Sequence, residues 1–353
     1  MSERYRAEDL VAFAARLLTG AGLPAEPAAA VAAGLVEADL LGHTTHGLAL
    51  LGPYLGALSA GTMEREGLPA IVSEAPAAAV WDGRRLPGVW TTGLAVAAAT
   101  AKAATQGVGV VVIRRSHHIA CLAAFLEKPA RDGFAVIVLS SDPAVATVAP
   151  HGGITPVMTP NPLAVALPAT GAPILIDVST SITTNGLVAR TAREGGRLPG
   201  AWLVDAEGRA SDDPAVASAG GALLPVGGLD HGHKGFALSL MVEALTQGLG
   251  GYGRAEKPTD WGAAVTVIAF APALFAGLTP FLAQVDWLAD ACRAATSRDP
   301  AVPVRMPGEA ALARKARALK EGVELHPEVA AQIAALAEKH GVAGVEAVEA
   351  VGG

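Results

Sequence analysis

The sequence predicts an α/β protein in which a strand-rich middle is enclosed by helical segments from both chain ends. Three observations predict it. Apolar residues recur at helical spacing over residues 4–60 and again after Pro280. Short apolar runs at 77–81, 108–113, 135–139 and 174–178 are enriched in β-branched residues and bounded by Gly, Pro or Asp. Helical stretches at 92–105 and 120–132 lie among those runs.

The elements follow in order. Leu10, Phe13, Leu17 and Leu18 share one helix face, which Gly20 and Gly22 end, and Pro27 suits the first turn of the next helix. Val31, Leu35, Ala38 and Leu41 carry the stripe to Gly42, and a helix resumes between His46 and Leu58. The middle supplies a buried sheet, then a helix at 235–249 and a further strand at 263–269. Helices are expected at 284–295, 309–320 and 327–340. The expected division is a helical domain, 1–75 with 280–353 packing on it, and an α/β domain at 76–279. The pair Gly107 and Gly109 precedes its strand instead of following it, so no Rossmann fingerprint is read there.

Composition narrows the function. Of 353 residues, 51% are hydrophobic and 17% charged, and much of the apolar content is alanine. Small side chains bury little area each, so stability must draw on close helix packing and on subunit contacts. The net charge of −7 argues against nucleic acid as a partner. The apolar runs are too short to cross a bilayer, so no membrane is expected. The charged amino terminus has no signal-peptide core, and a cytoplasmic address is expected. Two distant cysteines, Cys121 and Cys292, indicate neither a disulfide framework nor a Cys-based zinc site.

Seven of the nine histidines are His43, His46, the pair His117–His118, His151, His231 and His233, five of them beside Gly or Thr, and imidazole is the default proton carrier near neutrality. His43 and His46 are three apart at a helix junction, a spacing that can share a metal, or can simply satisfy the junction with Thr45 as its cap. His117 and His118 follow a strand end, where α/β proteins place reactive groups, and of the two His118 is expected to point inward. Ser141 and Asp142 end the run at 135–139, where the carboxylate would orient an imidazole from the neighbouring strand. Gly227 to Gly235 leads into a helix through His231, His233 and Lys234, a combination that favours an anionic ligand.

Further features join these clusters in order. They are Ala38-Asp39 before Gly42 and Thr45-His46-Gly47, Asn161-Pro162-Leu163, Asp177 within Ile176 to Ser179, Gly200-Ala201-Trp202, His233-Lys234-Gly235 and Pro307-Gly308-Glu309. The ordered set resembles the malate/L-lactate dehydrogenase family of the second type, over nearly the whole chain. That resemblance implies a non-Rossmann, sulfolactate-dehydrogenase-like fold with an α/β cofactor domain, NAD or NADP as cofactor, a small-molecule substrate and a homodimer. It implies His118 first and His46 second as proton carrier, with Asp142 holding the imidazolium. Thr45, His43 and Leu50 would lie at the substrate. Cofactor contacts would be Ser141, Asp177, Val178, Ser179, Lys234, Pro307, Gly308 and Glu309. No metal is implied.

Leu50 stands where relatives acting on 2-oxo acids commonly carry a carboxylate-binding arginine. A charged hydrogen bond of that kind is worth roughly 1.5–3 kcal/mol, so Arg190, Arg193 or His43 would have to replace it. The reading is an NAD(P)-dependent dehydrogenase or reductase of a small 2-oxo acid, 2-hydroxy acid or cyclic imine acid. Its rivals are a metal-dependent lyase or hydrolase using His43, His46, His231 and His233, and a non-catalytic nucleotide-binding relative.

Overall fold

A computed structural model describes residues 3–348. Met1 and Ser2, part of the charged amino terminus, lie outside them. Strand β1 (Arg4–Tyr5) leads into helices α1 (Ala7–Gly20), α2 (Ala25–Leu41) and α3 (Leu51–Ala60). The predicted stripe of Leu10, Phe13, Leu17 and Leu18 is buried, and Gly42 ends α2 in the left-handed conformation, as a helix stop requires. Between α2 and α3 the chain makes a turn at His43–Gly47 and a short 3-10 segment, Leu48–Leu50.

The sheet begins with β2 (Ala70–Glu74) and β3 (Ala78–Asp82), followed by helix α4 (Gly88–Gln106) and strand β4 (Val108–Ser116). Helix α5 (Glu127–Arg131) is much shorter than expected, because a 3-10 turn, Leu122–Phe125, replaces its first half. Strands β5 (Ala135–Ser141), β6 (Leu163–Leu167) and β7 (Ile174–Val178) follow, then α6 (Asn185–Arg193). Short strands β8 (Leu203–Val204), β9 (Ala210–Ser211) and β10 (Ala222–Leu223) form a separate three-stranded sheet. Helix α7 (Gly228–Glu243), strand β11 (Ala263–Phe270), helices α8 (Leu278–Ala294) and α9 (Glu309–Glu321), strand β12 (Val323–Glu324) and helix α10 (Pro327–His340) complete the described chain.

The main sheet has seven strands in the order β2-β3-β4-β11-β5-β6-β7, with only β3 and β4 parallel. Strand β11 lies between β4 and β5, antiparallel to both. The carboxyl ends of β4, β5 and β7 and the amino ends of β11 and β6 therefore meet along one edge, which is the edge that matters below.

Both chain ends enter one core, where Val323, Leu325, Val329, Ile333 and Leu336 pack with Leu10, Phe13, Leu17 and Leu35. Helix α8 goes elsewhere: Asp286 binds Thr170 in the β6–β7 loop, on the far side of the sheet. Among the described residues no helix is long and apolar enough to cross a membrane.

Candidate active site

The converging strand ends frame a cavity of about 410 Å³. Ser140 to Asp142 come from β5, Asn161 and Pro162 from the approach to β6, and Asp177 to Ser179 from the end of β7. Trp261 to Ala263 come from the approach to β11, and His118 to Leu122 from beyond β4. His43, Thr45, His46 and Leu50, from the turn between α2 and α3, close the helical side.

The segment carrying the paired histidines is aimed by a bulge. Ala263 faces Ser116 and Val265 faces Ile113, so β4 holds one residue more than β11 there. Arg115 takes the left-handed conformation, φ 51°. Arg114 and Arg115 both bind buried Asp82, at 3.1 and 2.6 Å. Burial pushes the Asp82 carboxyl up, but Arg115, Arg84 N–H and Arg114 outweigh it and hold it below its usual range. The bulge also breaks the expected alternation. Both His117 and His118 point inward, where only His118 was expected to. His117 packs edge-on to Trp261 and Tyr54, with both ring nitrogens buried and unpartnered.

His118 lies face to face with Trp261, ring centroids 4.6 Å apart, and 6.1 Å from His46. Its Nδ1 lies 2.9 Å from the Tyr54 hydroxyl and accepts from the Ala120 backbone N–H at 3.3 Å. A backbone N–H can only donate, so Nδ1 is an acceptor and the neutral ring carries its proton on Nε2. Burial pushes the Tyr54 phenol up, which keeps it a donor. Burial, then the charges of His46 and His117, drive His118 well below the usual imidazole range. Burial and then His43 bring His46 down to about 4, and its Nδ1 pairs with Thr45 Oγ1 at 2.9 Å. The rings of His46 and His118 are therefore neutral imidazoles at pH 7. The turn that presents His46 is pinned from below: buried Asp39 accepts from Leu48 N–H at 2.7 Å.

Asp142 does not hold His118, contrary to expectation. Strand β11 stands between their strands, and the Asp142 carboxylate instead accepts backbone N–H groups from Ala144, Gly262 and Val145. Burial raises it to about 6. Ser141 is buried and its hydroxyl is occupied by Thr246 and Gln247. Asp177 accepts from Ala123 N–H at 2.8 Å and lies 3.6 Å from Cys121 Sγ.

Several nominated residues lie outside the cavity. Lys234 is exposed on α7, three residues beyond a kink at His231. Pro307 and Gly308 pack on Leu175 at the opposite end of β7, and Glu309 pairs with Arg293. The four histidines of the metal-dependent rival are split: His43 and His46 line the cavity, while His231 and His233 form an exposed group with His151. Among the described residues, no Arg or Lys lines the cavity. Arg193 binds Glu328, and Arg190 binds Thr44 from behind the turn.

Sequence reasoning did not find Tyr54 and Trp261 as site residues: Tyr54 falls in the apolar stripe of its helix, and Trp261 lies outside every motif. The Asn161 network was also missed. Its amide donates to Ser239 and Glu243, which ties the start of β6 to α7.

The chemistry of the lining fits the nicotinamide end of a dinucleotide. Ile119, Leu122, Val145, Pro160 and Pro162 give an apolar wall beside hydrogen-bonding groups. The phosphates of such a cofactor would have to lie beyond the cavity, because its lining offers them no permanent cation.

Comparison with known proteins extends this picture. The malate/L-lactate dehydrogenase family model matches residues 5–334. The malate dehydrogenase of Pyrococcus abyssi is 33% identical over 251 residues, 70% of this chain and 69% of that protein. The Δ1-pyrroline-2-carboxylate reductase of Ancylobacter novellus is 32% identical over 332 residues, 90% of this chain and 93% of that protein. The solved sulfolactate dehydrogenase from Methanocaldococcus jannaschii superposes with a TM-score of 0.85 at 28% identity. That match covers 96% of this chain and 98% of the other. The fold is thus the expected sulfolactate-dehydrogenase-like α/β fold, built on a mixed sheet without a Rossmann order. With a family match over most of its length, the chain belongs to the malate/L-lactate dehydrogenase family, and its chemistry is that of an oxidoreductase.

Proposed function

We propose that this protein is an NAD(P)-dependent dehydrogenase or reductase of a small 2-oxo acid, 2-hydroxy acid or cyclic imine acid. The observation that carries the reading is the pair of neutral, differently bonded imidazoles, His46 and His118, facing one largely apolar cavity. A bound nicotinamide would supply or accept the hydride.

The hydrogen bonding gives the two rings different roles. His118, with its proton on Nε2, is suited to donate a hydrogen bond to the substrate oxygen or imine nitrogen. The neutral His46, whose Nδ1 is held by Thr45, is suited to take the hydroxyl proton during oxidation and return it during reduction. His46 therefore moves ahead of His118 as proton carrier. Proton transfer of this kind is worth about 10²–10⁴-fold. Asp177, Val178 and Ser179 line the cavity and are proposed cofactor contacts there. Ser141 is a contact through its backbone, and Asp142 sets the local charge. Lys234, Pro307, Gly308 and Glu309 would act only on parts of the cofactor beyond the cavity.

Leu50 and the lack of any lining Arg or Lys favour a monocarboxylic substrate. A second carboxylate would be buried without a cation, which costs several kcal/mol on the order of an unpaired buried ion. We take the assembly to be a homodimer, supported by an apolar face left open on α7: Leu238, Leu240 and Met241, with Leu249 beyond it, are each at least 41% exposed.

The test is an absorbance assay with NADH and NADPH against pyruvate, oxaloacetate, other 2-oxo acids and Δ1-piperideine-2-carboxylate. Wild type should oxidise one cofactor with a monocarboxylic acid in preference to oxaloacetate. His46→Ala should lose at least about 100-fold in kcat. Absence of binding by either nucleotide would overturn the reading.

A further inference from the structure

Among the described residues, one group of three potential metal-ligating side chains converges: His43, Cys121 and Asp177. Their ligand atoms all lie within 4.8 Å of one another. They come from three separate parts of the fold: the turn after α2, the segment beyond β4 and the end of β7. All three line the cavity.

The donor set is selective. Imidazole, thiolate and carboxylate together suit Zn²⁺ and related borderline ions, whereas Mg²⁺ and Ca²⁺ take oxygen-only sets. The spacing also fits. Zinc–sulfur and zinc–oxygen bonds of about 2.3 and 2.0 Å at a tetrahedral angle place the two ligands about 3.5 Å apart, and Cys121 Sγ lies 3.6 Å from Asp177 Oδ2. That same carboxylate oxygen accepts Ala123 N–H at 2.8 Å, the kind of outer bond that fixes a ligating carboxylate.

We propose that His43, Cys121 and Asp177 form a three-ligand site for Zn²⁺ or a similar thiolate-binding divalent ion, with the fourth position open to the cavity. Binding releases the Cys121 thiol proton to solvent as the sulfur–metal bond forms; nothing is oxidised or reduced. The ion then joins the helical turn to the sheet and occupies Asp177, a proposed cofactor contact, so the metal is an inhibitor. The binding claim stands apart from the proposed function; the inhibition claim rests on it.

The experiment uses the full-length protein without substrate. Equilibrium dialysis should give one Zn²⁺ per chain, and Co²⁺ should develop a thiolate-to-cobalt band in the near ultraviolet. Cys121→Ser should abolish that band. Cys121→Ser, His43→Ala and Asp177→Asn should each weaken Zn²⁺ binding beyond the roughly 10- to 100-fold that loss of an outer partner costs. Circular dichroism checks that each variant is folded, and His46→Gln should bind as wild type does. No stoichiometric Zn²⁺, or binding kept in Cys121→Ser and lost in His46→Gln, overturns the site. If Zn²⁺ binds as stated but cofactor oxidation by wild type is unchanged by saturating Zn²⁺, the inhibition claim alone falls. A protein that binds Zn²⁺ yet turns over no substrate would count against the proposed function and leave the site standing.

Discussion

At the scale of single residues, the site turns on which nitrogen of His118 holds the proton; the Ala120 N–H fixes it, and Tyr54 adds a second donor to Nδ1. Tyr54→Phe removes one donor to Nδ1, a bond worth about 1 kcal/mol and so roughly 5-fold in rate. The loss should fall on kcat more than on KM. The pH profile carries a second expectation. His46 has a folded pKa near 4, below the unfolded imidazole value near 6.5. Its neutral form is therefore the one the fold favours. Its contribution to stability is complete above about pH 6.5 and is lost as pH falls through 4. Oxidation of a 2-hydroxy acid should accordingly fall toward pH 4 as His46 takes a proton, in wild type and in Tyr54→Phe alike, separately from any step near 6 that the Asp142 carboxyl adds. A break near 6.5 that persists in Asp142→Asn, with none near 4, would remove His46 from the proton carrier's place. The histidines themselves were legible as short clusters. Tyr54 was not, because it sits in an apolar helical stripe and reads as core until the chain segment it touches is known.

At the scale of elements, the segment that carries the two histidines is held by its neighbours more than by its own sequence. Helix α4 begins at Gly88, and a Cβ there would collide with the carbonyl oxygens of His117 and His118. Gly88→Ala should therefore push that segment into the cavity. The expected outcome is about 1–3 kcal/mol of lost stability, read as a lower Tm, together with a kcat reduced by as much as about 100-fold. An active variant with an unchanged Tm would mean that the segment tolerates displacement. Clear apolar patterning made β7, α9 and α10 readable to within a residue. Strand β2 was missed because all five of its residues are exposed, and β6 because its alanine-rich alternation is shallow. The early start of α7 was missed as well, since glycine and histidine are poor helix formers.

At the scale of the whole molecule, helix α7 leaves an apolar face exposed. Leu238→Glu with Met241→Glu should convert a dimer to a folded monomer in light scattering with an unchanged circular dichroism spectrum; an unaltered mass would place the subunit contact elsewhere. The architecture also shows why the Asp142–His118 pair could not be judged from sequence. Two strand ends adjacent in chain order are separated in space by β11, which arrives much later in the sequence. Val265, near the start of that strand's pairing, sits opposite Ile113 and Ser140, roughly 150 and 125 residues back. This has a consequence for the protein's life before it is complete. A ribosome adding about 5–20 residues per second needs on the order of ten seconds to pass from β5 to β11. Throughout that interval β4 and β5 each present an unpaired edge to other chains. The strand that completes the reaction cavity is also the one that ends the nascent chain's exposure to aggregation.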